Sequence, residues 1–259
     1  MFAYNLPLQR VRALSRPGFS AGLLVAAALF TAGCSDLTAP NSAVSLRSPL
    51  SIGSSAASNF PVLANAAVTC TGGNIAGNVG TFLGTPTGTV TQTSCPITGT
   101  VYVGGGIAEQ AFNDFLNAYA ALAPKAGDVC TTLTGTLGGV ILSPGAYCFD
   151  AAATLTSVLT LDGPPDGVWN FRIGTSGTGA LTGTNFSVAL AGGAQACNVT
   201  WWVADAATMT TSGFQGNILA GAGITLTGGT FTGNAWSKAD ATITGTVVTP
   251  CGHSHSAST

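Results

Sequence analysis

Few side chains in this sequence suit acid–base or metal chemistry, and their spacing narrows the choice further. Its 259 residues hold nine carboxylates, seven cationic side chains, two histidines and seven cysteines. Asp162 and Asp166 in LDGPPDG stand four apart, a pairing that in a polysaccharide-cleaving enzyme would supply an acid and a base or nucleophile. Gly163, Pro164, Pro165 and Gly167 around them read instead as a turn, so catalysis is not expected there. His253 and His255 fall in the polar tail GHSHSAST, no CxxC accompanies them, and neither a metal nor a cofactor is expected. With both histidines in that tail, no Ser/His/Asp set is available either. Hydroxyl groups, by contrast, are plentiful: threonine supplies 36 residues, nearly all between Thr69 and Thr249. A regular array of neutral hydroxyls can order water without attracting charge.

The threonines recur with a period. Thr208, Thr225 and Thr242 open TMTTSGFQGNI, TLTGGTFTGNA and TITGTVV at intervals of 17 residues. Aligning TTSGFQGNI from Thr210 with TGGTFTGNA from Thr227 gives Thr, two small residues, a variable position, Phe, one residue, then Gly-Asn. A third copy, TGGNIAGNV, lies far upstream at Thr71–Val79, with partial copies TGTNFS from Thr182 and TGTVV from Thr244. Short repeats that turn at Gly-Asn and carry one buried side chain each predict a β-solenoid whose coils stack on one another. Phe214 and Phe231 should then stack inside while the threonine columns face out. The β-branched composition agrees with a mainly β fold.

Other elements frame that repeat. In GGIAEQAFNDFLNAYAALAPKAG, Ile107, Ala111, Phe112, Phe115, Tyr119 and Leu122 recur at helical spacing, predicting one amphipathic helix that stops near Pro124 and must lie against the β structure. VWNFRIG and CNVTWWVAD alternate as half-buried strands. Residues 1–33 read as a signal peptide, with Arg10, Arg12 and Arg16 before the apolar run FSAGLLVAAALFTAG. Residues 34–61 read as a flexible tether, 62–251 as the folded domain and 252–259 as a polar tail. After the signal peptide four basic residues remain against nine acids, a net charge of −5. Without a basic patch, nucleic-acid binding is not expected. Cys70, Cys95, Cys130, Cys148, Cys197 and Cys251 permit up to three disulfides in an oxidising compartment. Proximity favours Cys70–Cys95 and Cys130–Cys148, leaving Cys197–Cys251, among 15 possible pairings; buried thiols are the alternative.

Two resemblances add to this reading. TAGC resembles the lipobox of bacterial lipoproteins, which implies acylation of Cys34, a membrane anchor and an exported outer-membrane or cell-surface protein; Thr31 stands where that motif usually has leucine, so ordinary cleavage and secretion is the alternative. LGGVILSPGAYCF, LTLDGPPDGVWNFRIG, GGAQACNVTWWVAD and GNILAGAGITLTGGTFTGNAWSKADATITG together resemble the ice-binding protein family of bacteria, fungi and algae. That resemblance implies a right-handed, three-faced, discontinuous β-solenoid with one long α-helix packed alongside and an N-terminal coil placed among later ones. It also implies a Thr-Ala/Gly-X-Thr/Asn pattern on the ice-binding surface, matched here by Thr71–Asn74, Thr182–Asn185 and Thr227–Thr230, with Thr210 and Thr244 joining by column.

The expectation is therefore a monomeric, non-enzymatic protein that adsorbs to ice or ordered water through Thr71, Asn74, Thr182, Asn185, Thr210, Thr227, Thr230 and Thr244. The alternative is an adhesion or structural module that binds glycan or protein, with Trp202 or Trp236 as a sugar-stacking platform. Trp236 and Lys238 stand where the family more often has small or aliphatic residues.

Overall fold

The computed structural model describes residues 55–251, a range that leaves Cys34, His253 and His255 outside it. Within that range, strands of two to eleven residues pair in parallel into a nine-stranded and a ten-stranded sheet, and one helix spans Gly106–Leu122. Past the edge coil that begins at Thr131, each coil contributes a short strand to the first sheet and a longer one to the second. The longer strands bend midway, at Asn185, Thr211 and Gly228, which have φ of 50°, 51° and 67°. Each bend turns the chain onto a third row of positions, so every coil has three sides.

The stacking order is not the chain order. In the first sheet Val62–Ala64 lies between Ala235–Ser237 and Val79–Thr81, and in the second Ala67–Thr71 pairs with Ala241–Thr244. The chain therefore starts beside its own last coil and winds outward to Val101–Val103 at one edge. It then restarts at Thr131–Thr132 on the opposite edge. Eight strand spacings separate those edges, about 38 Å. The helix, at 17 residues, covers about 25 Å of that return path.

The coil interiors explain the alternation. Leu155, Gly183, Met209, Leu226, Ile243 and Cys70 pair in register and point inward. Gly183 is the exception in size because the Phe186 ring reaches back across the bend and fills its place; a Cβ there would overlap that ring. Phe171 stacks on Trp201 at 3.9 Å between ring centroids, and Phe214 on Phe231 at 5.2 Å with planes 5° apart, the expected internal stack. The Gly-Asn turns bring Asn217 and Asn234 together on adjacent coils. Asn217 Oδ1 accepts from both the backbone N–H and Nδ2 of Asn234, at 3.1 and 2.9 Å. That ladder ends there, because the next coil presents Pro61, which has no N–H to offer Asn234 Oδ1. Disulfides join Cys70–Cys95 and Cys130–Cys148, as expected from proximity, and Cys197–Cys251, the pair that remained.

The helix seals the outer side of the first sheet with Ala108, Ala111, Phe112, Phe115, Tyr119 and Leu122, packed with Leu63, Trp202, Leu219 and Trp236. Ile107, expected on this face, is 58% exposed, and Ala108 takes its place. Ala108 precedes Phe115 by seven residues, two turns, whereas Ile107 is a further 100° around the axis. Upstream of Val62, the turn Ala56–Asn59 also packs here: Ala57 and Phe60 are buried, and the Ala56 N–H donates to Asp114 Oδ2 at 2.8 Å.

Tyr119 sets a pH limit on this docking. Its hydroxyl donates to the Val203 carbonyl at 3.1 Å, and burial, with Asp205 adding to it, pushes its pKa from 10.0 to about 12. The folded chain thus holds the phenolic proton more tightly than the unfolded chain. Its contribution to stability is whole below pH 10 and is lost as pH rises towards about 12. Melting temperature measured across that window should fall for the native chain and fall less steeply for Tyr119→Phe; equal slopes would remove Tyr119 from the explanation.

Candidate functional site: a double threonine ladder

The unbent half of the second sheet carries two unbroken outward columns. Thr154, Thr182, Thr208, Thr225, Thr242, Thr69 and Thr91 pair rung to rung across seven coils. Two residues further along each strand, Thr184, Thr210, Thr227, Thr244, Thr71 and Thr93 form the second column, and Thr156, next after the Leu155–Gly183 pair, continues it. Every rung is exposed or half-exposed, while the residue between each pair points into the core in six coils and is the exposed Gln92 in the edge coil. The local cause is the tripeptide T-x-T: strand pleating sends both threonines to one face and the middle residue to the other. The array measures about 29 Å along the stack and its columns stand about 6.7 Å apart.

No ionisable side chain stands on either column. Among the described residues, two pairs of hydroxyls on this face approach one another, Thr154 with Thr182 at 3.5 Å and Thr136 with Thr156 at 2.8 Å, both at one end. The other ladder hydroxyls make no hydrogen bond to the described residues, so their donor and acceptor capacity is directed away from the fold. Charge gathers elsewhere. Beyond the C-terminal end of the helix, Lys125, Asp128, Asp150 and Arg172 line a cleft of about 360 Å³. There Arg172 Nη1 pairs with Asp128 Oδ2 at 2.7 Å.

The structure sorts the eight sequence-predicted residues into three places. Thr71, Thr210, Thr227 and Thr244 share the second ladder. Thr182 lies on the same face but in the first ladder, two residues out of its expected register, because Thr184 is the partner of Thr210. Asn185 occupies the bend itself. Thr230 and Asn74 lie past the bend, each paired with Val247, on the adjoining side. The matching of Thr-x-x-Thr/Asn thus joined residues from two sides of the coil. Thr69, Thr91, Thr93, Thr154, Thr156 and Thr184 were absent from the expectation, although T-x-T recurs in all seven coils and marks them.

The two tryptophans lack the exposure that a sugar-stacking platform needs. Trp202 is 6% exposed and its Nε1–H donates to the Tyr119 carbonyl at 3.0 Å; Trp236 is fully buried and donates to the Phe60 carbonyl at 2.8 Å. Neither can stack on a sugar, because the helix covers both. Asp162 ends a strand and Asp166 lies in the turn after it, as the glycines and prolines implied. Among the described residues no three His, Cys, Asp or Glu side chains converge to hold a metal.

Among the described residues, this side of a stacked β-solenoid presents two aligned columns of uncharged hydroxyls. The chain belongs to the ice-binding-like family, whose model matches residues 62–249. An ice-binding protein of Nostoc sp. (strain HG1) is 39% identical over 176 residues, covering 66% of this chain and 62% of that protein. One from Flavobacterium frigoris (strain PS1) is 38% identical over 94 residues, 36% of this chain and 33% of that one. The chain therefore spans less than two thirds of the length of either. The crystal structure of an ice-binding protein from the Antarctic ascomycete Antarctomyces psychrotrophicus superposes with a TM-score of 0.69 at 32% identity, covering 78% of this chain and 98% of that one.

Proposed function

We propose that this chain is a non-enzymatic ice-binding protein that adsorbs through the double threonine ladder, acting as a monomer. The observation that carries the reading is the unbroken run of paired, uncharged rungs whose hydroxyls are mostly unsatisfied by protein. Each hydroxyl can hold a water by hydrogen bond, and each methyl leaves the neighbouring water to bond to its own kind. Restricted χ1 rotation keeps both groups in place, so little side-chain entropy is lost when the ordered layer meets a crystal. Adsorbed molecules would make the front bulge between them, slowing growth and recrystallisation.

The export and anchoring read from the sequence belong to the same proposal. Cleavage before Cys34 and lipid on its thiol would hold the domain at a bacterial surface, where the ladder could fix the cell to ice or protect its surroundings. Labelled protein grown slowly into an ice hemisphere should be retained in the ice well above a size-matched control. Exclusion to the control level would end the ice-binding reading.

A further inference from the structure

The bends beneath the ladder are not equally constrained. The coils bearing Thr184 and Thr210 turn at Asn185 and Thr211, whose side chains restrict them. The coils bearing Thr227, Thr244 and Thr71 turn at Gly228, Gly245 and Gly72, with φ of 67°, 63° and 64°. Glycine adopts these angles without strain but has the most freedom to leave them. Three glycine bends in succession thus lie under the middle of the ladder, at Thr227, Thr244 and Thr71.

One buried side chain spans two of those bends. Thr246, 2% exposed, follows Gly245 and points inward. Its Oγ1 hydroxyl donates to the Gly228 carbonyl of the neighbouring coil at 3.1 Å, with the Thr244 carbonyl of its own coil 3.4 Å away. The two acceptors belong to Thr244 and to the residue directly after Thr227, consecutive rungs of the second ladder. The corresponding position on one adjacent coil is Gly229 and on the other Gly73, which carry no hydroxyl. A Cβ on Gly73 would run into the Thr246 carbonyl, and one on Gly229 into the Ser212 carbonyl. The space under these bends therefore admits a larger side chain on the middle coil and hydrogen on the two beside it.

We infer that Thr246 is a positioning residue for the ladder: its buried hydroxyl ties the Gly228 and Gly245 bends together and so holds Thr227 and Thr244 in the plane of the face. This rests on the proposed ice-binding function for its consequence but not for its geometry. Thr246→Val keeps the shape and removes the donor; Thr246→Ser keeps the donor. In the full chain, the methyls of Thr227 and Thr244 should show increased rotamer averaging by NMR relaxation in Thr246→Val, with Thr208 and Thr225 unchanged, and Thr246→Ser should restore order. Thermal hysteresis at matched concentration should fall at least severalfold in Thr246→Val and recover in Thr246→Ser, with both variants folded at the assay temperature. Unchanged methyl order at Thr227 and Thr244 in Thr246→Val would overturn the inference, whatever the native chain does with ice. Altered order in a native chain that lacks hysteresis would uphold the positioning role and discard the ice-binding reading instead.

Discussion

Replacing Thr227 by tyrosine is expected to remove most thermal hysteresis while leaving the chain folded. Thr227 has Thr210 and Thr244 on either side in its own ladder and Thr225 in the other, so it lies well inside the array. A phenol ring there projects beyond the plane of hydroxyls and methyls, and a flat crystal surface cannot recede to admit it. The whole face is held off, not one rung, so the effect should exceed that of deleting one water contact. A loss of about tenfold or more corresponds to ~1.4 kcal/mol or more of adsorption free energy. Thr230→Tyr supplies the control. It stands three residues further on but past the bend, paired with Val247 on the adjoining side, and should keep activity within about twofold of native, ~0.4 kcal/mol. Equal losses in both variants would place the working surface across the bend; no loss at Thr227 would move it off the ladder.

Trp236→Ala should produce the largest loss of stability among single substitutions at the helix interface. The side chain is fully buried, its ring lies 6.1 Å from that of Phe115 on the helix, and its Nε1–H donates to the Phe60 carbonyl 176 residues away in sequence. Removing it leaves a cavity under the helix and an unpaired carbonyl at the entry of the first coil. Large aromatic-to-alanine changes in cores cost about 3–5 kcal/mol. Against a typical total of about 5–15 kcal/mol, that should lower the melting temperature by about 10 °C or more. A shift below about 1 kcal/mol would mean that the helix is held mainly by Phe112, Phe115 and Leu122.

Much of the coil was legible because its chemistry is local. Phe214 and Phe231 recur 17 residues apart and do stack; Gly216-Asn217 and Gly233-Asn234 do turn; the two proximity-favoured cysteine pairs form and leave Cys197–Cys251 as the third. The copy at Thr71, distant in sequence, joins the array through Thr244 as its repeat implied. The register of Thr182 is hidden from the local sequence for a physical reason. TGTN matches a four-residue pattern, but Gly183 stands in the inward position that Met209 and Leu226 occupy in the following coils, and Phe186 fills the resulting space from beyond the bend. A volume borrowed from another side of the coil leaves no mark in a local pattern. Trp202 and Trp236 were open for a similar reason: alternation assigns them to the outer side of a strand, and only the returning helix turns that side into core. T-x-T, by contrast, stands in every coil and marks both columns, whereas the four-residue pattern reaches across the bend.

Thermal hysteresis of the unaltered chain tests the ice-directed ladder most directly. The expected result is a reproducible gap between melting and freezing points that grows with protein concentration, accompanied by faceted crystals within the gap. Coincident melting and freezing points with round, unfaceted crystals at high concentration of folded protein would contradict it.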